Sequence, residues 1–264
     1  MNQTYQHLFQ HFPKEEKAFI EKVIDLCQQV DMTYSYRLTP FLNPKQDEMA
    51  QSIAAHFQLS YWSSRSLIVT EYSRGIIAPD YYVLDENDFE MAMVEVLYPR
   101  KYATLTHSQI LGTLVNRLGV KREYIGDILL EEEHTYVLLD KRFVPILMSD
   151  IEKISRTPVN FQERDIQSVT VGSLSDASLE QILVSSLRLD KVVSAVFRMG
   201  RLKASQLVET KQVKVDYSPV TQVGKNLEVG QLVSVRGFGR IRLKEIIGYT
   251  KHGKVKLELE VIRK

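Results

Sequence analysis

Residues 187–217 read LRLDKVVSAVFRMGRLKASQLVETKQVKVDY, and from residue 227 the chain continues LEVGQLVSVRGFGR. Leu187 to Phe197 predicts a helix with Ser186 as its cap. At roughly 100° per residue, Arg188, Lys191, Ala195 and Arg198 gather on one side, while Leu189, Val192, Val193, Val196 and Phe197 take the other. One side is core and the other a cationic stripe. Gly200 breaks the helix, and RLKASQLVE predicts a short second helix that brings Arg201 and Lys203 near that stripe. Strands follow: VKVDY, then LVSVRGFGRIRL, then a hairpin from Glu245 to Lys264 turning at His252 and Gly253. Arg236, Arg240 and Arg242 alternate with apolar residues, so all three can project from one face of a strand or its turn. The Gly237 and Gly239 pair predicts a tight turn, since no third glycine and no helix follow to make a dinucleotide fingerprint.

Charge singles out the same region. The 264 residues carry 34 Lys plus Arg against 33 Asp plus Glu, a net of +1. Residues 181–264 hold 17 basic and 7 acidic residues, or +10, leaving −9 for residues 1–180. Such asymmetry marks a polyanion-binding module joined to something else. Within the acidic part, residues 1–90 carry −6, so broad phosphate contact is not expected there.

Other classes are excluded by composition. With 44% apolar residues, 12 Gly and 8 Pro the chain is an ordinary globular protein, and no apolar run approaches the ~18–20 residues of a membrane span. The start, MNQTYQHLFQHFPKEEK, lacks the basic and apolar regions of a secretory signal, which predicts a cytoplasmic protein. The single cysteine, Cys27, shares a helical face with Ile20, Val23, Ile24 and Val30 and is expected in a core. His7, His11, His56, His107, His134 and His252 show no metal-ligand spacing, so no metal or cofactor is expected.

Outward from the basic module, an α+β protein of three modules is predicted: a mixed α/β domain over 1–82, a middle domain over 83–165, a connector over 166–180, and the basic domain over 181–264. The first domain has an amphipathic helix from Pro13 to Val30, a second helix announced by Asn43, Pro44 and Gln46, and a strand in SLIVTEY (66–72). The middle domain reads as MAMVEVLYP, a helix capped by Thr106 and Gln109, YIGDILL, HTYVLLD, a helix in RFVPILMSDIEKI, and TPVNFQE. That is the βαββαβ order of a ferredoxin-like sandwich, shared by RNA-recognition-motif domains. The strand HTYVLLD lacks the basic-Gly-aromatic run on which bases stack, so any RNA contact must use another surface. The candidate is Arg117, Lys121 and Arg122 after the first helix, with His107 at its start. The alternative for the trio is a solvated helix end, and for His107 a capping or packing role.

The quoted run resembles the RNA-binding domain first named from ribosomal protein S-four. Gly200 stands where Ser is usual there, Lys211 where Gly is usual, Asp216 and Tyr217 in place of an Asn-Gly turn, and Gln231 in place of Asp. TPFLNP (39–44), the Glu71 and Arg74 pair before IIAPDYY, and HSQILGTLVNRLGVKREYIGDI resemble the YlmH family over essentially the whole chain. Ser108 and Gln109 depart from that family's Arg-Asp after the histidine. The resemblance implies a ribosome-associated factor that binds the large ribosomal subunit carrying peptidyl-tRNA after stalling, in ribosome quality control.

A non-enzymatic RNA-binding factor is therefore expected, with structured RNA (rRNA, tRNA) and the large subunit as partners and no membrane; no protein partner is indicated. Arg188, Lys191, Arg198, Arg201 and Lys203 would form its helical face, extended by Lys211, Lys214, Arg236, Arg240 and Arg242. Three alternatives differ in class. Arg-Leu-Asp also surrounds the catalytic aspartate of pseudouridine synthases, which would make Asp190 catalytic; gene proximity in the family suggests a cell-division adaptor; charge alone admits a DNA-binding helix-turn-helix.

Overall fold

The computed structural model describes residues 16–169 and 177–263. These fall into two compact units divided between residues 172 and 173. Residues 13–15 of the predicted first helix, part of the connector, and His7 and His11 lie outside the described residues. The class is α+β.

The first unit begins with α1 (Lys17–Thr33), β1 (Arg37–Leu42), α2 (Pro44–His56), β2 (Ser60–Ser63) and β3 (Ser73–Ala78). Helix α1 stops where Tyr34 takes a left-handed conformation, φ +53°, and returns its N–H to the Val30 carbonyl at 2.8 Å. The Asn43 and Gln46 capping box of α2 forms, with Gln46 N–H donating to Asn43 Oδ1 at 3.0 Å. Both helices cover one side of the antiparallel sheet β1-β3-β2, burying Ile20, Val23, Ile53 and Cys27. Burial pushes the Cys27 thiol up to about 12, so it acts as a small apolar residue.

The predicted strand over 66–72 does not form. Ser64–Ser66 makes a 3-10 turn after Ser63, and the strand that pairs is β3, seven residues later. Ile68 and Thr70 are buried and Val69 is exposed, so the period of two is real, but this stretch has no ladder partner among the described residues.

Next come β4 (Met91–Leu97), α3 (His107–Arg117), β5 (Ile125–Leu130), β6 (Thr135–Asp140), α4 (Val144–Asp150), the two-residue strands β7 (Lys153–Ile154) and β8 (Thr157–Pro158), and β9 (Asn160–Arg164). The sheet order is β5-β6-β4-β9, all antiparallel, which is the ferredoxin-like arrangement. Ala92, Val94 and Val96 pack with Ile110, Leu114 and Leu147 of the two helices. Met91, Met93, Leu129 and Leu138 point the other way and share a core with Phe41, Ile76 and Ala78 of the first sheet. The sheet face that RNA-recognition motifs use for stacking is thus covered by this chain's own β1-β3-β2 layer.

Arg74 ties the two sheets. It is 3% exposed; Nε donates to the Thr39 carbonyl at 3.0 Å, Nη1 to the Phe89 and Glu90 carbonyls at 3.2 and 2.9 Å, and Nη2 to Asp140 Oδ2 at 2.7 Å. Thr39 in turn accepts the Gly75 N–H through its hydroxyl at 2.8 Å. Two motifs thirty-odd residues apart therefore form one buried network.

Asp127 lies in the same unit, 8% exposed, with Oδ2 accepting the Tyr72 N–H at 2.9 Å. Burial raises its pKa to about 6, against the lowering effect of that N–H. A carboxyl raised when folded is stabilising in its protonated form, so the unit is expected to lose stability as pH rises from about 4 to about 6, by on the order of 2–3 kcal/mol. Urea midpoints across pH 4–7 for wild type and Asp127→Asn check this. The substituted protein should lack this part of the slope, and parallel curves would refute the assignment.

The second unit contains β10 (Ser178–Val184), α5 (Leu189–Val196), α6 (Arg201–Glu209), β11 (Val213–Val215), β12 (Ser218–Pro219), β13 (Leu232–Val235), β14 (Gly239–Tyr249) and β15 (Val255–Arg263). Its sheet runs β10-β15-β14-β13-β11-β12. Val192, Val193, Val196, Ala204 and Val208 of the helices pack on Val213, Val233, Ile241, Leu257 and Val261. Gly239, at φ +136°, is required where β14 meets β15, because a Cβ there would lie 1.9 Å from the Ile262 carbonyl oxygen. Among the described residues no helix is long and apolar enough to cross a membrane, and no cluster of three His, Cys, Asp or Glu could hold a metal ion.

Candidate nucleic-acid interface

The start of α5 is fixed from a distance. Arg188, not Ser186, is its N-cap residue; Ser186 Oγ is buried with no hydrogen-bond partner among the described residues. The segment 223–227 laces this turn instead: Leu189 N–H donates to the Lys225 carbonyl at 2.8 Å, and Leu227 N–H to the Leu187 carbonyl at 2.9 Å. Arg188 lies against Gly224, where a Cβ would stand 3.1 Å from Nη1.

Asp190 is fully buried, and both its oxygens are taken. Arg188 donates from Nε to Oδ1 at 3.0 Å and from Nη2 to Oδ2 at 3.3 Å; Arg201 donates from Nε to Oδ2 at 2.8 Å. Burial pushes the carboxyl pKa up, but the hydrogen bonds from the two arginines outweigh it and hold the group below its ordinary value. Arg201 opens α6, so this carboxylate locks one helix start to the next.

The other helical-side cations lie on or just beyond the same two helices. Lys191 is half-buried, on the side of α5 opposite Val192, Val193 and Val196. Arg198 falls just past the helix, exposed, at φ +49°, where Met199 N–H bonds to the Ser194 carbonyl. Lys203 is exposed, with Nζ 5.0 Å from the centre of the Phe238 ring. Lys211, also exposed, holds φ +58° at the end of α6, the position where glycine is usual in the resembling domain. Asp216 and Tyr217, at φ +46° and +66°, form the tight turn that Asn-Gly makes there.

The strand cations take a different face. Val213, Val215, Val233, Val235, Ile241 and Leu243 point to the helices, so Lys214, Arg240 and Arg242 project from the other side of the sheet. Lys214 and Arg240 stand in one cross-strand row through Ser234. Arg242 lies 3.7 Å from Glu260, which also holds Lys244 at 2.8 Å. LVSVRGFGRIRL is two strands rather than one, and Arg236 sits exposed in the turn between them, its N–H donating to the Gln212 carbonyl. The ten sequence candidates therefore divide into two locked arginines, four helical-side cations, three outer-sheet cations and one turn arginine.

In the first unit, His107 is the first residue of α3, behind the Thr106 and Gln109 capping box. Arg117 donates to the Lys153 carbonyl at 3.1 Å, and Lys121 is exposed. Arg122 serves the fold: it donates to the Ile125 and Gly126 carbonyls and lies 4.5 Å from the centre of the Tyr72 ring. Phe238, Lys244 and Arg263 were not among the sequence candidates. Charge alone could have flagged the two cations; nothing local flags the phenylalanine.

An α+β chain whose last unit joins an aspartate-locked helix pair to eight excess positive charges has the make-up of proteins that carry a polyanion-recognition module. Residues 15–82 match the family model described as "YlmH, N-terminal" and residues 85–168 that described as "Putative RNA-binding domain in YlmH". A solved structure, "Cell division protein ylmH from Streptococcus pneumoniae", is 35% identical with a TM-score of 0.54, covering 59% of this chain and 94% of that one. The "Ribosome-associated protein quality control protein P2" of Bacillus subtilis (strain 168) is 29% identical over 253 residues, covering 96% of this chain and 98% of that protein. The chain belongs to the YlmH family.

Proposed function

We propose that this protein is a non-enzymatic RNA-binding factor of ribosome quality control in the cytoplasm, associating with the large ribosomal subunit that carries peptidyl-tRNA. The observation that carries this reading is the +8 second unit, in which Lys191, Arg198, Lys203 and Lys211 lie on or just beyond the two helices that the Asp190 lock joins. Placed on a fixed helix pair, these charges suit phosphate contacts to structured RNA, read by shape. The similarity to a ribosome-associated quality control protein supplies the setting. Asp190 is a poor candidate for catalysis, because a nucleophile needs an accessible oxygen and both of its oxygens accept hydrogen bonds inside the protein.

Co-sedimentation with separated ribosomal subunits across a salt series tests the proposal. Binding should favour large subunits bearing peptidyl-tRNA and weaken with a log-log slope of roughly 0.7–0.9 per phosphate contact. Salt-independent association, or equal binding to both subunits, would overturn it.

A further inference from the structure

Beside the helical cations, α5 ends and the Gly237–Gly239 turn leaves a cleft of about 460 Å³. Phe197 and Phe238 form an aromatic wall, their ring centres 5.8 Å apart and their planes tilted by 52°. Arg198, at φ +49°, also lines the cleft. Across the cleft, the Arg263 guanidinium forks onto the Glu180 carboxylate and also donates to the Val196 carbonyl at 3.1 Å. That pairing keeps Glu180 ionised, with a pKa near 2. Gly237, at φ +82°, presents no side chain, and a Cβ there would meet nothing within 4 Å among the described residues.

We propose that this cleft receives one unpaired nucleotide of the bound RNA, its base against Phe197 and Phe238 and its phosphate at Arg198. The volume suits a ligand of that size and is far too small for a duplex. An aromatic wall offers a base the stacking surface that paired bases already have within a helix, so only an extruded nucleotide gains by entering. Arg263 and Glu180 satisfy each other across the cleft, and the guanidinium N–H groups that this pairing leaves over can donate to a base acceptor. Lys203 holds an ammonium over Phe238, adding positive charge next to the entry. The inference rests on the RNA-binding reading above and narrows it: the second unit prefers structured RNA interrupted by a bulge or loop nucleotide over a continuous duplex.

The test uses the full chain and a set of RNA hairpins, fully paired or carrying a single bulged nucleotide of each base, with 2-aminopurine as one of the bulges. The bulged hairpins should bind on the order of tenfold tighter than the paired one, with the 2-aminopurine emission quenched by stacking. Phe238→Leu keeps apolar packing and should abolish the preference while leaving the paired hairpin within about twofold of wild type; Phe238→Trp should retain it. Equal binding of bulged and paired hairpins, with unquenched 2-aminopurine, overturns the cleft assignment, and if that binding is strongly salt-dependent it leaves the RNA-binding reading standing. Failure to bind any hairpin counts against both.

Discussion

Replacing Arg74 by Met is expected to lower the stability of the first unit by about 3–5 kcal/mol, the cost of removing one partner from a buried ion pair. The side chain is buried, and burial lowers its pKa against the raising effect of Asp140. It remains charged because four acceptors surround it: three backbone carbonyls and the Asp140 carboxylate. Methionine fills a similar volume but satisfies none of them. Asp140 keeps its bonds from Arg142, so the carbonyls of Thr39, Phe89 and Glu90 bear much of the loss. Lysine should rescue little, since one ammonium cannot span a fork that reaches two sheets. The only tryptophan, Trp62 on β2, reports unfolding of this unit by fluorescence in urea. A loss below about 1 kcal/mol would mean that water replaces the guanidinium there, contrary to the buried geometry.

The second large effect concerns binding. Changing Lys191, Arg198, Lys203 and Lys211 together to Gln should reduce affinity for large ribosomal subunits on the order of 10³-fold near 0.1 M salt and flatten the salt slope by about 3. Arg188 and Arg201 are left in place because neutralising either strips a partner from buried Asp190, and unfolding would mimic loss of binding. Far-UV circular dichroism should be unchanged in the fourfold variant. An unaltered salt slope would remove the helical side from the interface and shift attention to Lys214, Arg240 and Arg242 on the opposite sheet face.

Much of this was legible in the chain because the signals were local. Both capping boxes, at Asn43 and Thr106, form as their spacing predicts, and strands β4, β5 and β6 of the ferredoxin-like sheet follow their apolar patterns. Readings failed where a distant segment decides the outcome. Residues 66–72 alternate like a strand, but pairing goes to β3, which lies between β1 and β2. Ser186 has a capping residue's chemistry, yet the segment 223–227 sets the helix start two residues later. The alternation of Arg240 and Arg242 showed that they share a face without showing which face, since that depends on where the helices pack. The cleft beside Phe238 draws on four separated stretches of chain, so no single window contains it.

The covered face of the ferredoxin-like sheet has a consequence for biosynthesis. Strands β1, β2 and β3 are translated before their partner strands β4, β5 and β6 exist. From Ala78 to Asp140 the ribosome must add about 60 residues, which takes roughly 3–12 s at ~5–20 residues per second. Until β4 is made, Phe41, Ile76 and Ala78 have no apolar cover from the second sheet, and to the end of the interval Arg74 has no Asp140. The nascent N-terminal layer is therefore a sticky intermediate by construction, and chains that terminate early in the middle domain are the ones expected to need chaperones or be degraded.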